Sequence, residues 1–480
     1  MQRPLFHNQR RRPLLAYFMA AVIGGAAIST LLVPVIRLHA LIPAHCWLQH
    51  PFSTWLLAHG ENPHPVRLIR PPAAPLSAMA RLGKQIFYDP SLSGSGQMSC
   101  ASCHSPQHAY GPPGDESVML GGPDLHTAGY RAVPSLMYLE RQPSFSVGPD
   151  NEVNENSNLG RRIAQSAHAA RARKTAQDTA ASAANLVPQG GLFWDGRVNT
   201  LQQQAGGPMF NTFEMDGGTP TRVAARLAAA RYAEAFRQLF GLNIFKDPRM
   251  AVSEALFAIA RYQIEDPSFH PYSSKYDAWL EGKARLDPAQ LRGYLLFNDS
   301  NKGDCAACHL DKPTPNHLPP LFTDHQFEAL GVPRNPEIPA DRNPHYFDLG
   351  ICGPFRKDLE KQTQYCGMFL TPTLRNVATR EVFFHNGVYH TLKQVLDFYD
   401  FRDTDPQLIY PRGPKGKIMK FNDLPVRYHA NVDTVDPPLN RHLGQRPAMT
   451  RPDKRDIIAF LKTLTDGYYK PSRTIGAGDN

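Results

Sequence analysis

Two pentapeptides, Cys100-Ala101-Ser102-Cys103-His104 and Cys305-Ala306-Ala307-Cys308-His309, hold the side chains best suited to chemistry in this chain of 480 residues. Two thiols separated by two residues can reach the two vinyl groups of one haem, and the adjacent histidine is placed to ligate its iron. A redox dithiol would need a thioredoxin-like strand and helix around each motif, and a zinc site would need a second ligand pair nearby. Neither pattern is present. Two complete motifs imply two covalently attached c-type haems, with His104 and His309 on the irons.

The elements that position the motifs repeat. Arg81-Leu82-Gly83-Lys84-Gln85-Ile86-Phe87-Tyr88-Asp89 precedes the first motif and Leu291-Arg292-Gly293-Tyr294-Leu295-Leu296-Phe297-Asn298-Asp299 the second, so Gly, Phe and Asp recur at equal spacing. The period is too long for a solenoid and implies two similar haem domains. Met79, Leu82 and Ile86 recur at helical spacing, as do Ile457, Phe460, Leu461 and Leu464, and Val223, Leu227 and Ala230 beginning beneath Thr221. Asp287-Pro288 is a helix start, with a capping carboxylate and proline at the first helical position. Strand alternation is scarce. The expected fold is mostly α, two cytochrome c-like haem domains in tandem, preceded by an N-terminal membrane helix.

That helix is read from Arg10, Arg11 and Arg12 followed by an uncharged run over residues 13–36, which ends at Arg37 and is long enough to cross a bilayer. The residues after it fit a small-x-small cleavage site poorly, which favours a retained anchor over a cleaved signal. The positive side stays in the cytoplasm and the bulk of the chain is exported, so a periplasmic location is expected. Of the seven cysteines, four belong to the motifs. Cys352 and Cys366 bracket a short charged loop and are candidates for a disulfide in an oxidising compartment; Cys46 has no evident role. The formal charge of +9 comes without a nucleic-acid motif, so a solvated basic surface accounts for it as well as an acidic partner does.

Four stretches together resemble the bacterial dihaem cytochrome c peroxidases, including the MauG-like members: residues 82–104, Phe193-Trp194-Asp195-Gly196-Arg197, residues 204–215, and Thr371-Pro372-Thr373-Leu374-Arg375-Asn376-Val377-Ala378 followed by Phe384-His385-Asn386-Gly387. The similarity spans about residues 76–465. It implies that the haem held by Cys100, Cys103 and His104 is the peroxidatic one and the haem held by Cys305, Cys308 and His309 the electron-transfer one. Trp194 matches the tryptophan between the haems. Gln204 and Glu214 match the polar pair above the peroxidatic iron. Cleaving peroxide requires a proton to move from the inner to the departing outer oxygen, and a carboxyl whose pKa is raised by an apolar pocket can carry it. Gln204, one of three consecutive glutamines, would orient the peroxide. Tyr399 matches the position where MauG-like members place a tyrosine as upper ligand of the second iron, with Met368 and Met419 as rivals.

The family's calcium site is in doubt, because Arg131-Ala132-Val133-Pro134 lacks the asparagine expected there. His126 does not align with the histidine that blocks the first iron in some members, so that haem is read as open. The resemblance implies a peroxidase that reduces hydrogen peroxide to water through high-valent haem iron, with electrons from a small periplasmic cytochrome c or cupredoxin. The alternatives are a MauG-like oxidase modifying side chains of a partner protein and a non-catalytic electron carrier; related enzymes often form homodimers. Expected limits are residues 1–37 for the anchor or signal, 38–74 for a proline-rich linker, 75–285 for the peroxidatic domain with an insertion at 145–187, 286–469 for the electron-transfer domain, and 470–480 for a tail. The insertion's alanine- and arginine-rich part, residues 161–185, suits a basic helix.

Overall fold

A computed structural model of the protein describes residues 51–72, 74–149 and 186–470. The expected anchor, Cys46, residues 161–185 and the tail beyond residue 470 lie outside the described residues. Helices α1 (Pro51–Ala58), α2 (Ala78–Phe87), α3 (Cys100–Cys103), α4 (Leu201–Phe210), α5 (Pro220–Ala229), α6 (Ala233–Phe240), α7 (Pro248–Glu265), α8 (Lys275–Leu280), α9 (Pro288–Phe297), α10 (Leu392–Phe401) and α11 (Arg451–Leu461) carry the fold. The strands are short antiparallel pairs: β1 (Leu120–Gly121) with β2 (Thr127–Ala128), β3 (Ser146–Pro149) with β4 (Leu186–Gln189), and β5 (Phe327–Glu328) with β6 (Phe369–Leu370). The architecture is therefore mostly helical. Among the described residues no helix is long and apolar enough to cross a membrane.

Two main hydrophobic cores form around the two motifs. The first gathers Leu82, Ile86 and Phe87 of α2 with Val223 and Leu227 of α5 and Ala255, Ala258 and Ile259 of α7. The second gathers Tyr276 and Trp279 of α8, Leu291 and Phe297 of α9, and Ile457 and Phe460 of α11. The repeated glycine explains the crossings. A Cβ on Gly83 would lie 1.8 Å from the Ala258 carbonyl oxygen of α7, and one on Gly293 would lie 1.9 Å from the Asp456 oxygen of α11. Backbone meets backbone at both places, which only glycine permits. The repeated phenylalanines, Phe87 and Phe297, are each 1 % exposed.

The repetition extends to two further pieces. Val133-Pro134-Ser135-Leu136 and Thr371-Pro372-Thr373-Leu374 run alongside the two motifs, the Ser135 hydroxyl donating to the Ala109 carbonyl and the Thr373 hydroxyl to that of Leu321, both at 2.6 Å. Phe193-Trp194-Asp195-Gly196 and Phe384-His385-Asn386-Gly387 make the same turn, with left-handed φ near +65° at both phenylalanines and both glycines. Each turn leads into a helix capped by threonine, Thr200 for α4 and Thr391 for α10.

Several expectations are corrected. Helix α5 is capped by Thr219, not Thr221, because Pro220 takes the first helical position and the Thr219 hydroxyl accepts from the Arg222 amide; Ala230 already lies past its end. Helix α11 stops at Leu461, and Leu464 stays buried by way of a tighter turn over Lys462–Leu464. The stretch expected as a linker is packed from Pro51 onward. Leu68 is part of the second core, the Trp279 indole donates to the Gly60 carbonyl at 2.9 Å, and Arg70 forms a buried 2.8 Å ion pair with Glu281. The insertion leaves and returns along one hairpin, Ser146 pairing with Gln189 and Pro149 with Leu186. A disulfide joins Cys352 to Cys366, with Cα atoms 5.0 Å apart.

Candidate active site

A cavity of about 130 Å³ opens against the first motif and is lined by Cys100, Cys103, His104, Trp194, Gln204, Pro208, Asn211 and Glu214. Three elements meet there. The cap of α3 places the motif, since Ser99 and Ser102 exchange side-chain and backbone hydrogen bonds across its first turn. Helix α4 supplies Gln204, which is 7 % exposed. Its neighbours turn elsewhere: the Gln202 amide donates to the Ser253 carbonyl on α7 and the Gln203 oxygen accepts from the Asn199 amide. The turn after α4 supplies Glu214, fixed by amide bonds from Glu214 to the Asn211 carbonyl and from Met215 to the Pro208 carbonyl, both 3.1 Å.

Burial pushes the Glu214 carboxyl above its usual range, against the opposing pull of the Asn211 side chain and the Arg197 guanidinium. Arg197 is held by Asp195 at 2.9 Å, and its guanidinium lies 3.6 Å from the centre of the Phe193 ring. Trp194 lines this cavity and the larger one, and its indole donates to the Ala132 carbonyl at 2.8 Å. His126 is exposed between β1 and β2, away from the cavity.

The larger cavity, about 310 Å³, is lined by Cys305, Cys308, His309, Tyr399, Met449 and the Pro372 segment. Tyr399 comes from α10, and burial raises its phenol pKa, so the proton stays on unless a cation replaces it. Neither rival methionine lines this cavity. Met368 packs in the small core around the disulfide, and Met419 is 44 % exposed on another loop. The methionine that does line it, Met449, carries no sequence signal that separates it from core packing. Arg380 also lines it; its guanidinium donates to the Val382 and Val133 carbonyls, and burial lowers its pKa to about 10.

The residues present fit a c-type haem at both places. His104 Nδ1 lies 3.0 Å from the Tyr110 carbonyl oxygen and His309 Nδ1 2.9 Å from that of Phe322. A carbonyl only accepts, so Nδ1 carries the proton and Nε2 keeps the lone pair a metal needs. Burial lowers both imidazoles to about 4, which keeps them neutral. Burial also pushes the thiols of Cys100, Cys103 and Cys305 up to about 12, the opposite of a reactive dithiol. Among the described residues no group of three or more histidine, cysteine or acidic side chains converges as a metal site.

Sequence reasoning missed Asn211, Arg197 and Arg380. Arg197 follows Asp195-Gly196 in a quoted motif, but only the fold turns it toward Glu214.

Comparison with known proteins gives a consistent result. The family described as di-haem cytochrome c peroxidase matches residues 77–285. Methylamine utilization protein MauG of Paracoccus denitrificans is 31 % identical over 405 residues, covering 82 % of this chain and 90 % of that protein. Cytochrome c551 peroxidase of Nitrosomonas europaea is 28 % identical over 351 residues, covering 72 % and 78 %. Among solved structures, the diheme peroxidase BthA of Burkholderia thailandensis is 32 % identical, with a TM-score of 0.68 over 87 % of this chain and 96 % of that one.

Proposed function

The chain belongs to the bacterial dihaem cytochrome c peroxidase and MauG family, whose members are peroxidase oxidoreductases with two c-type haems, and on that premise we propose that Glu214 and Gln204 direct the cleavage of hydrogen peroxide in the smaller cavity. The observation that carries this is the Glu214 carboxyl, raised by burial and facing the cavity beside Gln204 and the first motif. The bound haem supplies the electrons that break the oxygen–oxygen bond. Gln204 holds the peroxide by a hydrogen bond. Glu214, when ionised, takes the proton from the inner oxygen and returns it to the outer one, so that water leaves in place of hydroxide. Asn211 and Arg197 hold the carboxylate during the transfer. His126, outside the cavity, leaves the approach open, and Arg380 provides the cation for a haem carboxylate.

Electrons come from a small cytochrome c or cupredoxin, and the chain works in the periplasm, held to the inner membrane by residues 13–36. Glu214→Gln tests the core of this reading. It should keep both haems covalently bound by mass and lower peroxide turnover by about a hundredfold or more, the scale of a general acid–base group. Near-normal turnover with intact haem spectra refutes it.

A second reading, a MauG-like oxidase acting on a partner protein, is favoured by Tyr399, whose phenol lines the same cavity as His309 while Met368 and Met419 do not. A phenolate ligand stabilises oxidised iron where a thioether stabilises ferrous iron. The ferric protein should lack the weak near-infrared band of a methionine-ligated haem. If that band is present and survives Tyr399→Phe, Tyr399 is not the ligand, and Met449→Leu identifies its replacement.

A further inference from the structure

Buried tyrosine hydroxyls meet carboxylates at several places in this fold, Tyr232 on Asp89 at 2.6 Å and Tyr276 on both the carbonyl and the carboxylate of Asp311 at 3.0 and 3.4 Å. At the larger cavity two such tyrosines stand ring to ring, one lining the cavity and the other packed behind it. Tyr138, which lines that cavity and is 3 % exposed, donates its hydroxyl to Asp466 Oδ2. Tyr272, 1 % exposed, donates to Glu140 Oε1 at 2.8 Å. Their ring centres are 4.8 Å apart. The Arg375 guanidinium lies 5.1 Å from the centre of one ring and 4.9 Å from the other, pinned by a buried 2.7 Å ion pair with Asp277. A third phenol, Tyr469, lies beyond. It donates to Glu281 Oε2 at 2.7 Å and accepts from Arg70, whose Nε donates to the Tyr272 carbonyl.

The first pair is built deliberately. Tyr138 holds a left-handed φ of +64°, costly for a bulky side chain, at the position that Asn376, φ +60°, holds in the second repeat. Both of these residues meet on Asp466, since the Asn376 amide donates to the same Oδ2 at 2.7 Å.

A phenol buried in this way cannot ionise in advance. It can lose an electron only if its proton leaves with it, and for that it needs a base already hydrogen-bonded to the hydroxyl. Resting on the peroxidase reading above, we infer that Tyr138 and Tyr272 form a proton-coupled relay that carries oxidising equivalents out of the larger cavity, one electron at a time. In the first step the Tyr138 O–H bond breaks: the electron enters the cavity, reducing by one the oxidation left by peroxide, and the proton moves to Asp466. In the second, Tyr272 reduces the Tyr138 radical; Asp466 returns its proton to Tyr138 while Glu140 takes that of Tyr272. An external one-electron donor then restores Tyr272, and Glu140 gives its proton back. Two passes account for the two electrons that, with two protons taken up from solvent, convert one peroxide to two waters.

The test uses the holoprotein mixed with peroxide in the absence of donor, frozen within the turnover time and examined by electron paramagnetic resonance, with peroxide consumption followed in parallel. Native protein should give a tyrosyl signal that narrows when ring-deuterated tyrosine is incorporated. Tyr138→Phe, which deletes one oxygen, should abolish the signal while both haem spectra persist. Tyr272→Phe should leave a signal confined to Tyr138, and Asp466→Asn, which keeps the phenol and removes its base, should lower the yield at least tenfold. A tyrosyl signal undiminished in Tyr138→Phe, or none in native protein that consumes peroxide, overturns the relay and leaves the peroxidase reading standing. Native protein that consumes no peroxide overturns both.

Discussion

Replacing Gly293 by alanine puts a methyl group where α9 crosses α11. The new Cβ would sit 1.9 Å from the Asp456 carbonyl oxygen, 2.5 Å from its carbon and 2.8 Å from Phe460 Cβ, where ordinary contact begins at 3.4 Å. None of these atoms is the free end of a side chain, so the helices must part by about 1.5 Å, in an interior packed as densely as a crystal. Overpacking of this kind costs about 1–3 kcal/mol or more, against a gain of about 1 kcal/mol from alanine's helix propensity. With backbone meeting backbone the cost falls at the upper end, about 3 kcal/mol, so the net loss is about 2 kcal/mol, or about 4–8 °C in melting temperature at about 2–4 °C per kcal/mol. Ile457 and Leu461 of α11 line the larger cavity, so the His309 haem spectrum should shift and that of the His104 haem should not. Gly83→Ala should do the reverse through Ala258 and Ile259, since Ile259 lines the smaller cavity. Gly206→Ala is the control: its Cβ meets only the mobile Leu256 Cδ1, at 3.2 Å. Thermal melts with haem spectra of the three variants decide the matter. If Gly293→Ala melts as high as Gly206→Ala, the crossing does not require glycine and the argument fails.

Because Glu214 must be ionised to accept a proton and burial raises its pKa, turnover should rise with pH on a limb above the usual carboxylate range, a limb that Glu214→Gln abolishes in the pH–rate profile. Burial, with Asp423 and Asp348 nearby, pushes Asp341 up to about 7 from 3.8. A raised carboxyl stabilises the fold below its unfolded pKa and loses that contribution as pH rises through the folded value; denaturant melts should therefore show native stability falling between pH 4 and about 7, and Asp341→Asn should flatten that part of the fall. Arg375→Gln leaves the Asp277 carboxylate buried without its cation and should cost about 3–5 kcal/mol at neutral pH by the same melts. The loss should shrink in acid, because Asp277, held below its ordinary pKa against the opposing effect of burial, takes up a proton there.

The two Cys-x-x-Cys-His motifs, the helical class and one arm of the internal repeat were legible in the chain alone, because each is a matter of residue type at short spacing. Cys-x-x-Cys-His, the Asp287-Pro288 cap and the i, i+3, i+4 stripes carry their meaning within a few residues of themselves. Gly83 and Gly293 were visible as matching letters, but that both mark a backbone crossing depends on Ala258 and Asp456, each more than 150 positions away. The family resemblance already singled out Gln204 among three glutamines; the tertiary structure supplied the physical reason, since that face of α4 meets the cavity while Gln202 and Gln203 turn away, and it set Arg197 and Asn211 against Glu214. It also packed the supposed linker from Pro51 onward onto the second core. Met449 lines the cavity that Met368 and Met419 miss, and Tyr138 meets a carboxylate 328 positions along the chain. Periodicity reports which face of an element is apolar; which distant polar groups then converge on one volume is decided by how those faces pack.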